Sequence, residues 1–193
     1  MLTLSPLTSD KLDEFRSLLG SSEFGGCFCA VWSSYGEDWV ERCSDQGQPN
    51  FYITKKNVEA GKHAGYLVYQ DKDLVGWTGS GPKTAFPFLK SKLGSRLSEF
   101  SSDIWSVGCL AVKEAYRGRG ISDFIVRAVA QEAATKGARS LEAYPTRRFH
   151  EPRVFRGTYT LYGRLGFNER GSEKDTDHEI VLMVLDLQRG HSA

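Results

Sequence analysis

The sequence predicts an α/β fold built on a mixed sheet. Three observations carry that prediction. Strand-like and helix-like segments alternate along the chain. The run 104–112 is apolar almost throughout, as expected of a central strand covered on both faces. A long amphipathic helix and then another strand follow it, which places a right-handed strand–helix–strand unit around 104–144.

Each element has its own signal. Leu2 and Leu4 alternate with polar residues and predict a short first strand. Leu12, Phe15, Leu18 and Leu19 form one stripe of a helix over 11–19, with Ser9 or Asp10 as its cap and Gly20 as its stop. Residues 21–50 are dense in aromatics, among them Phe24, Phe28, Trp32, Tyr35 and Trp39, with short helices expected near 38–43 and 54–60. The runs 66–70 and 74–78, joined by Asp71-Lys72-Asp73, predict a hairpin that ends at Gly79-Ser80-Gly81-Pro82. A helix over 88–97 precedes the central strand. The helix over 120–137 places Ile121, Phe124, Ile125, Ala128, Val129 and Ala133 on one face. Strands at 140–144, 167–170 and 179–187 and a helix at 159–165 complete the pattern.

The chain has 193 residues, which fits a single domain over 1–193. A net charge of +1 gives no reason to expect nucleic acid as a partner. No run reaches the ~18 apolar residues of a membrane span, so no membrane partner is expected. The N-terminus carries no basic leader, so the expected location is the cytoplasm, where the four cysteines are free thiols. Cys27, Cys29 and Cys43 with His63 match no standard zinc spacing, and no metal is expected. The thiols are expected to pack beside Phe28 and Trp32.

The segment from Leu110-Ala111-Val112 through Arg117-Gly118-Arg119-Gly120-Ile121-Ser122 joins the buried strand to the amphipathic helix. Its two glycines let the backbone turn tightly and approach a ligand. The first turn of the helix has amides without internal partners, which with the helix dipole suit a diphosphate. Arg117 and Arg119 add positive charge at the rim. The loop lacks the Gly-Lys-Ser/Thr of a P-loop and the Gly-x-Gly-x-x-Gly of a dinucleotide fold. By these features alone, a phosphate-binding loop and a plain tight turn both stand.

The run 117–122 resembles the GNAT acyltransferase superfamily motif Arg/Gln-x-x-Gly-x-Gly/Ala, departing only at Ser122. Leu161-Tyr162-Gly163-Arg164-Leu165-Gly166-Phe167 resembles that family's later motif. The resemblance covers residues 66–187. It implies a mostly antiparallel sheet of six to seven strands with a central splayed parallel pair, flanked by helices. It implies acetyl-CoA as co-substrate, with Leu110, Ala111 and Val112 along its pantetheine and Arg117, Gly118, Arg119, Gly120, Ile121 and Ser122 around its diphosphate. It makes Tyr162 the acid that protonates the departing thiolate. Where the family often has an asparagine, this chain has Phe155, so that contact is not expected. Residues 1–65 are then the variable, acceptor-side part.

The implied activity is transfer of an acetyl group to a primary amine of a small molecule. A protein or peptide acceptor, a non-catalytic acyl-CoA-binding module and a nucleotide-binding protein unrelated to CoA stay open, as does a homodimer. Glu99, Asp103 and Glu142 are candidate bases, with Glu142 read foremost as a surface carboxylate. Arg147, Arg148 and Arg153 form a basic loop suited to an acidic acceptor or the adenosine 3′-phosphate, or simply solvated.

Overall fold

The computed structural model describes residues 1–34, 38–44, 47–91, 98–147, 155–175 and 178–187. In chain order the elements are β1 (Leu2–Pro6), α1 (Leu12–Leu19), α2 (Ala30–Ser33), α3 (Trp39–Arg42), α4 (Gln48–Glu59), β2 (Tyr66–Gln70), β3 (Asp73–Pro82), α5 (Phe88–Ser91), β4 (Ile104–Val112), α6 (Ile121–Thr135), β5 (Ser140–Ala143), α7 (Tyr159–Arg164), β6 (Asn168–Asp175) and β7 (His178–Asp186). The strands form one sheet in the order β1-β2-β3-β4-β5-β7-β6. Every neighbouring pair is antiparallel except β4 and β5, which run parallel at the centre.

Burial explains this order. All of β4 is buried, because both faces of the sheet are covered there. On one face, α1 packs Phe15, Leu18 and Leu19 against Trp77, with Phe28 and Trp32 alongside. On the other, α6 lays Ile121, Ile125, Val126 and Val129 over Val75, Val107 and Val112. Each such side chain taken out of water contributes about 1.5–3 kcal/mol.

Four expectations change. The start of α1 has no side-chain cap, and a 3-10 turn over Ser9–Lys11 leads into it. The Asp10 carboxylate bonds Thr8 instead, which lowers its pKa. Helix α4 begins at Gln48, six residues before the predicted start, because Gly47 turns the chain at φ 69° and a proline fits the first helical turn. Strand β3 does not stop at the Gly-Ser-Gly-Pro run; Ser80, Gly81 and Pro82 pair with Val107, Ser106 and Trp105. Strand β6 runs on to Asp175 because β7 offers it a full antiparallel partner. Part of the helix predicted over 88–97 lies outside the described residues.

Candidate active site at the fork of the sheet

The parallel pair is short. β4 and β5 are matched from Ile104 with Ser140 to Val107 with Ala143, and no further. Immediately beyond, β4 carries a bulge. Between the pairs Thr78–Leu110 and Ser80–Val107, Gly108 and Cys109 together face Gly79. An extra residue bends its strand and adds twist, so β4 leaves β5 and the sheet forks. The glycines allow the close packing this needs. A Cβ on Gly108 would come within 2.8 Å of the Gly79 carbonyl oxygen and 2.9 Å of Trp32, and one on Gly79 within 3.0 Å of the Cys29 sulfur.

Past the bulge, the β4 edge faces the fork. Leu110 N–H points into it and donates to the Phe155 carbonyl at 2.5 Å. The pantetheine pairing expected at Leu110 therefore meets a position already engaged, and Phe155 fills it with its backbone. Ladder alternation turns Val112 to the same edge and Ala111 toward β3. The Val112 carbonyl accepts from Arg117 Nε at 2.9 Å.

The glycine loop follows a 3-10 turn over Glu114–Tyr116. Gly118 and Gly120 lie at φ 72° and 76°, and a Cβ on either would meet nothing within 4 Å. They are glycines for the sake of the backbone conformation. Among the described residues, the amides of Gly118, Arg119, Gly120, Ile121 and Ser122 have no acceptor; the first helical closure is Phe124 N–H to the Gly120 carbonyl, 3.0 Å. These donors cluster at the positive end of a 15-residue helix. Buried Ile121 anchors that end. Arg119 lies over the Tyr116 ring at 5.4 Å. Arg117 departs from its expected role. Its amide donates to Glu114, and its guanidinium holds both the Val112 carbonyl and, at 2.6 Å, Glu23. Glu23 also accepts from Glu114 N–H. Arg117 thus braces the loop instead of standing open at its rim.

Tyr162 is fully buried on α7, whose start is capped by Thr158 Oγ1 accepting from Leu161 N–H at 3.1 Å. Its hydroxyl donates to the Arg156 carbonyl at 2.9 Å. Gly157 passes so close that a Cβ there would sit 2.7 Å from the phenol oxygen. Burial, and after it Cys109, raises the phenol's pKa, so it stays protonated.

None of the three carboxylates considered as bases suits that role. Glu142 is buried, not at the surface: it takes Lys83 Nζ at 2.9 Å and the Tyr144 hydroxyl at 2.7 Å. Lys83 also donates to Ser98. Glu99 and Asp103 both bind Arg139 on the exposed surface, at 2.7 and 2.8 Å. Arg147 is held by Glu169 and Glu179. Arg148 and Arg153 lie outside the described residues.

A cavity of about 360 Å³ opens between the N-terminal helices and the end of β3, with Phe28, Cys29, Trp32, Thr54, His63 and Phe86 in its walls. The N-terminal aromatics are therefore both core and wall: Phe28 and Trp32 line the cavity, while Phe24 packs against Phe155 at 5.7 Å. Tyr35 and the side chain of Trp39 lie outside the description. From the sequence, His63 is weighed only as a metal ligand, yet its ring lines this cavity. Its Nε2 sits 2.6 Å from the Ser80 carbonyl. A carbonyl can only accept, so Nε2 carries the proton and Nδ1 keeps its lone pair. Burial lowers the His63 pKa, which favours the neutral ring. The bulge was also overlooked, although Gly108 inside an apolar strand is its signal. Nothing in the sequence marks Lys83. Among the described residues no group of three His, Cys, Asp or Glu could hold a metal ion, and no helix is long and apolar enough to cross a membrane.

Comparison with known proteins agrees with this fold. No curated protein matches the chain. AAC(6')-Ib in complex with ribostamycin and coenzyme A superposes with TM-score 0.63 at 19% identity, covering 99% of this chain and 98% of that one. The ribosomal-protein-S18-alanine N-acetyltransferase of Escherichia coli gives 0.56 at 15% identity, covering 97% and 94%. The PaiA N-acetyltransferase of Thermoplasma acidophilum, in complex with coenzyme A, gives 0.56 at 12%, covering 96% and 99%. At such identities these likenesses speak for the fold alone. The sequence model of the acetyltransferase (GNAT) family matches residues 28–155, and the chain belongs to that family.

Proposed function

We propose that the protein transfers the acetyl group of acetyl-CoA to a primary amine of a small-molecule acceptor in the cytosol. The observation that carries this reading is the set of uncommitted amides from Gly118 to Ser122, opening beside the fork of the sheet. Those amides and the α6 dipole receive the diphosphate. Arg119 adds charge, and Arg117 keeps the loop in shape. The Val112 edge takes the pantetheine arm, with Leu110 joining once Phe155 yields its amide. This directs the thioester toward Cys109 and Tyr162.

The acceptor enters from the cavity under Trp32. Its walls, set by helices on one side and β3 on the other, favour a small molecule over a protein segment. His63 Nδ1 takes the proton that an ammonium must lose before its nitrogen can attack. As the C–N bond forms and the C–S bond breaks, Tyr162 turns its hydroxyl from the Arg156 carbonyl and gives its proton to the leaving sulfur. Burial raises the phenol pKa, so the hydroxyl carries its proton when the thioester arrives.

Thermal shift and calorimetry with acetyl-CoA, CoA and ATP test the binding step, and thiol release across an amine panel tests the chemistry. Both CoA species should stabilise the protein by mass action while ATP does not. Thiol release should depend on the amine. Tight CoA binding without turnover on any amine, peptide amines included, would leave only a binding module.

A further inference from the structure

Three thiols gather where the N-terminal segment meets the β4 bulge. Cys109 belongs to the bulge, and its sulfur accepts from Gly79 N–H at 3.3 Å. Cys29 reaches it from a distant part of the chain, and the two sulfurs lie 2.6 Å apart. A disulfide bond measures ~2.05 Å, so these sulfurs need only a small approach to bond. Trp77 Nε1–H donates to the Cys29 sulfur at 2.9 Å and holds it there.

The backbone is set for this meeting. Phe28 and Cys29 lie at φ 46° and 54°, where residues other than glycine are uncommon. Thr54 Oγ1 holds the Phe28 carbonyl at 3.0 Å, and Ala30 N–H donates to the Cys27 carbonyl at 3.0 Å. This conformation aims Cys29 at β4. Cys29 also lines the cavity. Cys27, two residues earlier, is only half-buried, so a small oxidant reaches it. A hydrogen bond from the Cys29 thiol lowers the Cys27 pKa, while burial raises that of Cys29. Cys27 is thus the nucleophile of the group and Cys29 its neighbour.

We propose that Cys29 and Cys109 are a redox modification site: under a hydroperoxide they join in a reversible disulfide that staples the acceptor-side segment to the catalytic strand. The Cys27 thiolate attacks the peroxide, becoming a sulfenic acid as the O–O bond breaks and an alcohol or water departs. The Cys29 thiol displaces water from that sulfur. Cys109 then attacks Cys29, and Cys27 leaves as a thiol. In total two thiols lose their hydrogens and two electrons, and the peroxide is reduced. On the acyl-transfer reading above, the staple also fixes the wall of the acyl site beside Tyr162 and halts turnover.

The full chain is treated with hydrogen peroxide, alkylated and digested, and the peptides are mapped with and without dithiothreitol. The expected product is a reducible peptide pair joining Cys29 to Cys109, in a protein lighter by two hydrogens and with a higher Tm. C43S should behave as the wild type, and C29S and C109S should give no such pair. Cys27 driven to sulfinic acid with Cys29 and Cys109 still alkylatable would overturn the proposal, as would a bond confined to Cys27 and Cys29. The mapping reads a linkage, so it stands whether or not the acyl-transfer reading does. In the active enzyme, dithiothreitol should restore the lost turnover. Full turnover with the staple in place would overturn its gating effect.

Discussion

Gly118 and Gly120 sit at positive φ with open space where side chains would point, whereas Gly79, Gly81 and Gly108 sit in a strand pair where a Cβ would strike Cys29, His63 and Trp32. One group lets the backbone turn and leaves amides uncovered. The other lets the N-terminal aromatics lie against the sheet. The same residue type thus marks a turn that leaves amides open and a place prepared for packing. Changes on the packed side should register in stability, and changes on the loop side in CoA binding.

The largest stability loss is expected on the packed side from Lys83→Met. It leaves Glu142 buried without its cation, and breaking such a pair costs about 3–5 kcal/mol. Urea denaturation would measure it; an unchanged midpoint would mean that Glu142 finds another partner. Next is Tyr162→Phe, which should lower kcat about 100-fold or more, the scale of general acid catalysis. Its effect on CoA affinity should be small. Gly108→Val should then cost about 1–3 kcal/mol through overpacking against Trp32, again read by denaturation.

The smallest effect concerns pH. Burial depresses the His63 pKa below its ordinary 6.5. The bond to the Ser80 carbonyl and then Glu132 oppose that shift and Lys136 supports it, while the tilted rings of Tyr66 and Trp105 lie nearby. Between the depressed value and 6.5 the unfolded chain binds more protons, so stability should rise with pH through that window and fall on acidification. His63→Gln should flatten the slope, as followed by melting temperature across pH.

This contrast also explains what the sequence made legible. The β4–loop–α6 unit was readable because its signals are local: an apolar run, two glycines and a helical stripe. The helix that carries Tyr162 was readable too, since Gly166 marks its end. The packed side was not readable, because its causes lie far apart in the chain. Gly79-Ser80-Gly81-Pro82 has the composition of a turn, yet it continues β3 because β4 pairs with it, and its glycines leave room for Cys29 and His63. Glu142 reads as a surface carboxylate until Lys83 arrives from another strand end. Arg117 reads as an open cation until Glu23 takes it.

Calorimetry comparing CoA with pantetheine, on the wild type and on Gly120→Ala, bears most directly on the role given to the loop amides. That substitution forces a side chain into the left-handed region, at about 1–2 kcal/mol of conformational cost. The expected result is that wild type prefers CoA strongly and Gly120→Ala loses most of that preference while still binding pantetheine. Equal preference for CoA in both proteins, with the variant folded, would contradict the account.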